Sequence, residues 1–119
     1  MVQVIGIPNC DTIRKTKKLL SETGVSYSFR DVKTDPLSRD ELTELTELVL
    51  RTGIDTLVNR KGRTWRSLGL ADKALSDTDL FEILLDHQTM IKRPVLRRGN
   101  DVMVGFDEAA LLHFVSEVT

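Results

Sequence analysis

The sequence predicts an α/β fold with a small mixed sheet of about four strands, interrupted by a helical insertion. Three observations predict it. Residues 2–31 read as strand, helix and strand in close succession. Residues 95–104 carry two short extended runs about Gly99-Asn100, followed by a helical pattern. Between these halves, at about 38–90, lie two helix starts with irregular chain or short helical turns between them.

Residues 2–7 are apolar and β-branched, as in a buried strand, and Pro8-Asn9-Cys10-Asp11 breaks the run. From Thr12 to about Thr23 a helix places Ile13, Thr16, Leu19 and Leu20 on one face. Arg14, Lys15, Lys17 and Lys18 fall mostly on the other, and Gly24 is a C-terminal stop. Val25, Tyr27 and Phe29 alternate in a second strand over 25–31. Strand, helix and strand at this length make a right-handed crossover between parallel strands.

Asp35-Pro36 opens a turn, and Ser38-Arg39-Asp40-Glu41 is a capping box. Leu42, Leu45, Leu48 and Val49 follow at helical spacing, and Gly53 ends the run. Ser76-Asp77-Thr78-Asp79 starts another helix, with Leu80, Ile83 and Leu84 on its apolar face. Arg93-Pro94 restarts extended chain, because the residue before proline avoids the helical region. Gly99-Asn100 suits a type II′ hairpin turn between 95–98 and 101–104. Asp107 caps a last helix, with Phe106 and Leu111 as its staple and Leu111, Phe114, Val115 and Val118 inward. Without the middle block, what remains is βαβ followed by ββα, a thioredoxin-like layout.

The chain has 119 residues, which suits one domain over 1–119. Its 40% hydrophobic content supports a core without disulfides or metals. The formal net charge of -1 gives no global field that would select nucleic acid or an anionic membrane. The first residues lack the charged start and apolar stretch of a signal peptide, and no apolar run approaches a membrane span. One cysteine forms no internal disulfide, so the expected setting is the reducing cytoplasm.

Cys10 sits where the first strand turns into the first helix. Backbone N–H groups there carry partial positive charge and favour a thiolate. At an ordinary pKa of ~8.5 only ~3% of a thiol is ionised at pH 7. Reaching ~6.5 takes about 2.7 kcal/mol, whereas a helix terminus supplies ~0.3–1 kcal/mol. A nearby cation is therefore expected, and Arg93 is the candidate, because the loop ahead of the third strand packs beside the first turn. A cis Arg93-Pro94 bond would bring it near Cys10. Asp11 would oppose ionisation if its carboxylate faced the sulfur. A buried, inert cysteine and a solvated surface arginine are the plain alternatives.

Ile7-Pro8-Asn9-Cys10-Asp11-Thr12-Ile13-Arg14-Lys15, Leu68-Gly69-Leu70 and Ile91-Lys92-Arg93-Pro94-Val95 resemble the arsenate reductase (ArsC) family. The Asn-Cys-Asp-Thr-Ile run and Arg63-Thr64-Trp65-Arg66 resemble its YffB-like subgroup. The likeness spans nearly the whole chain. It implies a thioredoxin-like sheet with a helical insertion, and a cis-proline at Pro94. It also implies a monothiol mechanism in which glutathione is the reducing co-substrate and no cofactor is bound. Carried over, Cys10 is the nucleophile and Arg93 an oxyanion or thiolate partner. Asn9, Thr12, Arg14, Asn59, Arg60 and Pro94 are expected to hold substrate or glutathione. Glutaredoxin is a further expected partner.

Arsenate reductases hold the oxyanion with three arginines. The late one matches Arg93, the middle one falls on Asn59 with Arg60 beside it, and the third falls near Gly105. The resemblance therefore implies a glutathione-dependent thiol-disulfide oxidoreductase ahead of arsenate reduction. The related Spx-like branch implies a second alternative, a non-catalytic regulator that binds RNA polymerase. Many of its members carry Cys-x-x-Cys, whereas Ile13 stands at the second position here.

Arg60, Lys61, Arg63 and Arg66 surround Trp65. The favoured reading is a solvated loop with Trp65 tacking the insertion to the core. These cations could also join Arg93 in holding glutathione carboxylates. Nucleic acid is not expected as a partner. His87 and His113 have no ligand-like spacing, so no metal site is expected.

Overall fold

The computed structural model describes residues 2–49, 53–70 and 73–116. Strand β1 (Val2–Gly6) leads through helix α1 (Asp11–Thr23) to β2 (Tyr27–Asp31). The insertion follows: α2 (Arg39–Leu48), a 3-10 turn (Ile54–Leu57), α3 (Arg63–Ser67), α4 (Asp77–Asp86) and a second 3-10 turn (Gln88–Met90). Then come β3 (Val95–Arg98), β4 (Asp101–Val104) and α5 (Glu108–Ser116).

The sheet runs in the order β2-β1-β3-β4. β1 and β2 are parallel, with Gly6 opposite Asp31, while β3 pairs antiparallel with β1 and β4. This is the thioredoxin-like arrangement, and its insertion connects the two halves. β2 starts two residues later than its hydrophobic alternation implies. The N–H of Val25 closes the end of α1 on the carbonyl of Leu20, beside Gly24 at φ 75°. The hairpin turn has Gly99 at φ 59°, and among the described residues no non-glycine has positive φ, as a II′ turn requires.

Alternation along the strands feeds two cores. Val2, Val4 and Leu96 point to one face, where Ile13, Leu20, Leu111 and Val115 of α1 and α5 cover them. Ile5 and Val95 point to the other, against Leu42, Leu45, Trp65, Leu80 and Leu84 of the insertion. Trp65 is thus a core residue. Val118, expected on the inner face of α5, lies outside the described residues. Among the described residues no helix is long and apolar enough to cross a membrane.

Three devices fix the insertion against the sheet. Arg30 donates to both carboxylate oxygens of Glu41, at 2.7 and 2.9 Å, and to the carbonyls of Asp35 and Pro36. The buried Gln88 amide bonds both the N–H and the C=O of Leu37, each at 2.7 Å. Finally, Asn59 N–H donates to Met90 and Lys92 N–H to Leu57, with Val58 bridging Ile91. That last ladder ends immediately before Arg93, so it sets where the arginine begins.

Candidate active site

Cys10 is the N-cap of α1, with extended backbone (φ -130°, ψ 132°). This conformation turns the first N–H groups of the helix toward its half-buried side chain. Thr12 Oγ1 lies 3.0 Å from Cys10 Sγ. Burial pushes the thiol's pKa up, but it ends below its ordinary value. The Thr12 hydroxyl, the nearby N–H groups of Ile13 and Thr12 and the charge of Arg93 together outweigh the burial. Charge balance alone called for a cation first. The structure places a hydroxyl at the sulfur as well: Thr12 Oγ1 lowers the pKa together with the N–H groups of the helix start and the charge of Arg93.

The first turn of α1 is anchored from below. Thr16 is fully buried and its hydroxyl donates to the Thr12 carbonyl at 2.6 Å. Asp11 accepts from Arg14 Nη2 at 2.7 Å on the exposed face of the helix, so its carboxylate is engaged with Arg14. Arg14, expected at the substrate site, is therefore committed to that surface pair.

Arg93 is half-buried and precedes a cis peptide bond to the buried Pro94. Its stem passes over the end of β1: a Cβ on Gly6 would stand 3.7 Å from Arg93 Cγ. Arg60, also expected at the site, is held elsewhere. It pairs with Asp55 and stacks on Trp65, with the guanidinium carbon 4.6 Å from the ring centroid. Gly105, near the third oxyanion position, has Lys92 lying against it, with Cε 3.3 Å from where a Cβ would sit.

A cleft of about 460 Å³ opens beside the Cys10 turn. Ile7 and Asn9 from that turn, Lys33 from the loop after β2, Asn59, Gly62, Arg63 and Thr64 from the insertion, and Thr89, Met90 and Arg93 line it. Asn9, Asn59 and Arg93 thus come together in the cleft, and Cys10 follows Asn9 in the chain. Thr64 and Thr89 share a hydroxyl contact at 3.1 Å across the wall. Asn59 is folded back, its Oδ1 accepting from Lys61 N–H at 3.2 Å.

Lys33 was not expected at the site, and Arg63 only as one of four cations that could join Arg93 in holding glutathione carboxylates. Arg63 stood in the cation-rich segment, but nothing local separated it from Arg60. Lys33 had a legible signal in topology. It follows β2, which is parallel to β1, so both connecting loops leave the same edge of the sheet, where α/β folds bind ligands.

Residues 5–114 match the ArsC family. This chain belongs to the ArsC family. An uncharacterized protein of Haemophilus influenzae is 35% identical over 109 residues, 91% of this chain and 93% of its own. The solved structure of a YffB protein superposes with a TM-score of 0.84 at 36% identity, covering 95% of this chain and 97% of that one. Global transcriptional regulator Spx 1 of Bacillus cereus is 25% identical over 97% of this chain and 87% of its own. The ArsC-family match spans both halves of the sheet and the insertion, and so includes the Cys10 turn, the cleft and Arg93.

Proposed function

We propose that this ArsC-family chain is a glutathione-dependent thiol-disulfide oxidoreductase that works with Cys10 alone. The observation that carries this reading is the place of Cys10 Sγ at the start of α1, 3.0 Å from the Thr12 hydroxyl. A hydroxyl and a helix start beside the sulfur favour the thiolate, which is the attacking species.

The thiolate attacks one sulfur of a disulfide, forming a Cys10 mixed disulfide and expelling the other sulfur as a thiolate that takes up a proton. Glutathione thiolate then attacks the mixed disulfide, restoring Cys10 and leaving with the acceptor sulfur. Glutaredoxin is a second candidate for that resolving step. The reducing cytoplasm is the compartment in which this cycle would run. Glutathione-coupled reduction of a small disulfide tests the reading. Cys10→Ser should abolish it, and intact-mass analysis of the wild type without glutathione should show half of the small disulfide attached to Cys10. Equal turnover in Cys10→Ser would refute it.

Arsenate reduction is a weaker reading. Asn59 and Gly105 stand near two of the three expected oxyanion arginines, and Arg60 is paired with Asp55. Arsenite formation with glutathione and glutaredoxin would restore it. The similarity to Spx supports a different reading, a regulator that binds RNA polymerase. Recovery of the polymerase by wild type and Cys10→Ser alike would favour that role. Ile13, on the buried face of α1, leaves this chain without a second thiol for an internal switch.

A further inference from the structure

Thr16 is a polar residue on the face of α1 that packing alone would make apolar. It shares that face with Ile13 and Leu20 and is itself fully buried. Among the described residues only Thr16 and Gln88 are buried polar side chains. Gln88 joins segments 51 positions apart, which explains it structurally. The bond of Thr16 stays inside its own helix, where the hydroxyl donates to the Thr12 carbonyl at 2.6 Å. Such a back-bond does little for a helix and tends to bend it, and threonine is a weaker helix former than alanine. Thr43 makes the same bond to the Arg39 carbonyl on α2, at 2.8 Å, but it is exposed, where water competes. Thr16 is sealed from water, and a hydrogen bond is stronger there.

The acceptor gives the bond its consequence. The Thr12 carbonyl and the Ile13 N–H are the two ends of one planar peptide unit. Ile13 is the third residue of α1, and the N–H at that place is one that an N-cap side chain ordinarily engages. Here the N-cap is Cys10. A donor on the carbonyl oxygen draws electron density through the peptide and leaves its N–H more positive, because linked hydrogen bonds polarise one another. It also fixes the plane of the peptide, and with it the direction of that N–H. Burial raises the Cys10 pKa, and the Ile13 N–H is one of the groups that bring it below its ordinary value.

We infer that Thr16 is a positioning residue for Cys10: bonded to the Thr12 carbonyl, its hydroxyl aims and polarises the Ile13 N–H at the other end of that peptide toward the sulfur. This deepens the reading of Cys10 as the nucleophile and rests on it. Thr16 acts through the peptide unit and is not itself a catalytic residue.

Cys10 is the only cysteine, so ultraviolet thiolate absorbance titrates it alone. The test compares wild type with Thr16→Val and Thr16→Ala, which lack the hydroxyl, and with Thr16→Ser, which keeps it. The midpoint should rise by about 0.2–0.6 of a pH unit in the valine and alanine variants, as when one charge-assisted bond loses about a tenth to a third of its strength. Thr16→Ser should titrate with wild type. The amide nitrogen resonance of Ile13 should move upfield in Thr16→Val at a pH where Cys10 is neutral, and stay in place in Thr16→Ser. Urea denaturation of each variant reads fold stability separately. A merely structural role would change the urea midpoint and leave the titration and the Ile13 resonance unmoved. If the wild-type midpoint is lowered but the hydroxyl-free variants keep it, or Thr16→Ser moves as far as Thr16→Val, the role of Thr16 is refuted and the nucleophile stands. If the wild-type midpoint is ordinary and still rises in Thr16→Val, the role of Thr16 stands and the reading of Cys10 as a prepared thiolate fails.

Discussion

Thr12 Oγ1 lies 3.0 Å from Cys10 Sγ, two residues away on the first turn of α1. The hydroxyl reaches the sulfur because Thr12 is fixed from behind by buried Thr16, which donates to its carbonyl. The Thr12 hydroxyl, the helix start and Arg93 therefore all lower the pKa of one thiol. Arg93 also borders the cleft, where it faces the same space as Asn9 and Asn59.

Gly6 makes this meeting possible. A Cβ there would collide with the Cδ1 of fully buried Ile13 and approach its Cγ1 to 3.0 Å, while meeting Arg93 Cγ at an ordinary 3.7 Å. Gly6→Ala should cost about 1–3 kcal/mol by overpacking. Urea denaturation measures it. Adding Ile13→Val, which removes Cδ1, should restore part of the loss. Simple additivity of two destabilising changes would contradict this account.

Gln88 clamps the insertion. Its amide satisfies both backbone groups of Leu37, a buried residue 51 positions away in sequence. Gln88→Leu leaves two buried polar groups without partners and should destabilise by about 2–4 kcal/mol. The midpoint of chemical denaturation reads this directly. A change below about 0.5 kcal/mol would mean that water replaces the clamp.

Glu41 gives the fold an acid-sensitive element. Hydrogen bonding from the Arg30 guanidinium, and then from the Ser38 N–H, lowers its pKa to about 2. A depressed carboxyl pKa contributes stability above the unfolded value of ~4.3 and loses it as pH falls toward the folded value. Glu41 is partly exposed, so screening reduces the effect, and Glu41→Gln should cost about 1 kcal/mol at pH 7. The deficit relative to wild type should disappear between about pH 4 and pH 2. A deficit that persists undiminished at pH 2 would assign it to packing.

The framework was legible because its signals are local. Ser38-x-x-Glu41, Gly24 and Gly99-Asn100 each name their own geometry, and the structure forms the capping box with both bonds present. The alternation of Val4 with Ile5 and Val95 with Leu96 likewise separates the two cores. The cleft was only half legible. Arg60 and Arg63 share one cationic segment, and only Asp55 and the face of Trp65 decide that Arg60 turns away. Arg14 looked equally available until Asp11 held it at 2.7 Å. Lys33 depended on which sheet edge its loop leaves, which follows from pairing rather than from its neighbours in sequence. The weight of Thr12 over Arg93 at the sulfur follows from the N-cap geometry of Cys10, and composition does not carry it.

The central claim is that the Thr12 hydroxyl and the start of α1 prepare Cys10 as a thiolate. The most direct measurement is the pH dependence of Cys10 alkylation by neutral iodoacetamide in wild type, Thr12→Val and Arg93→Gln. The account predicts a wild-type midpoint below the ordinary ~8.5 of a free thiol. It should rise in both variants, and further in Thr12→Val than in Arg93→Gln. An ordinary midpoint in all three proteins, or a rise confined to Arg93→Gln, would contradict it.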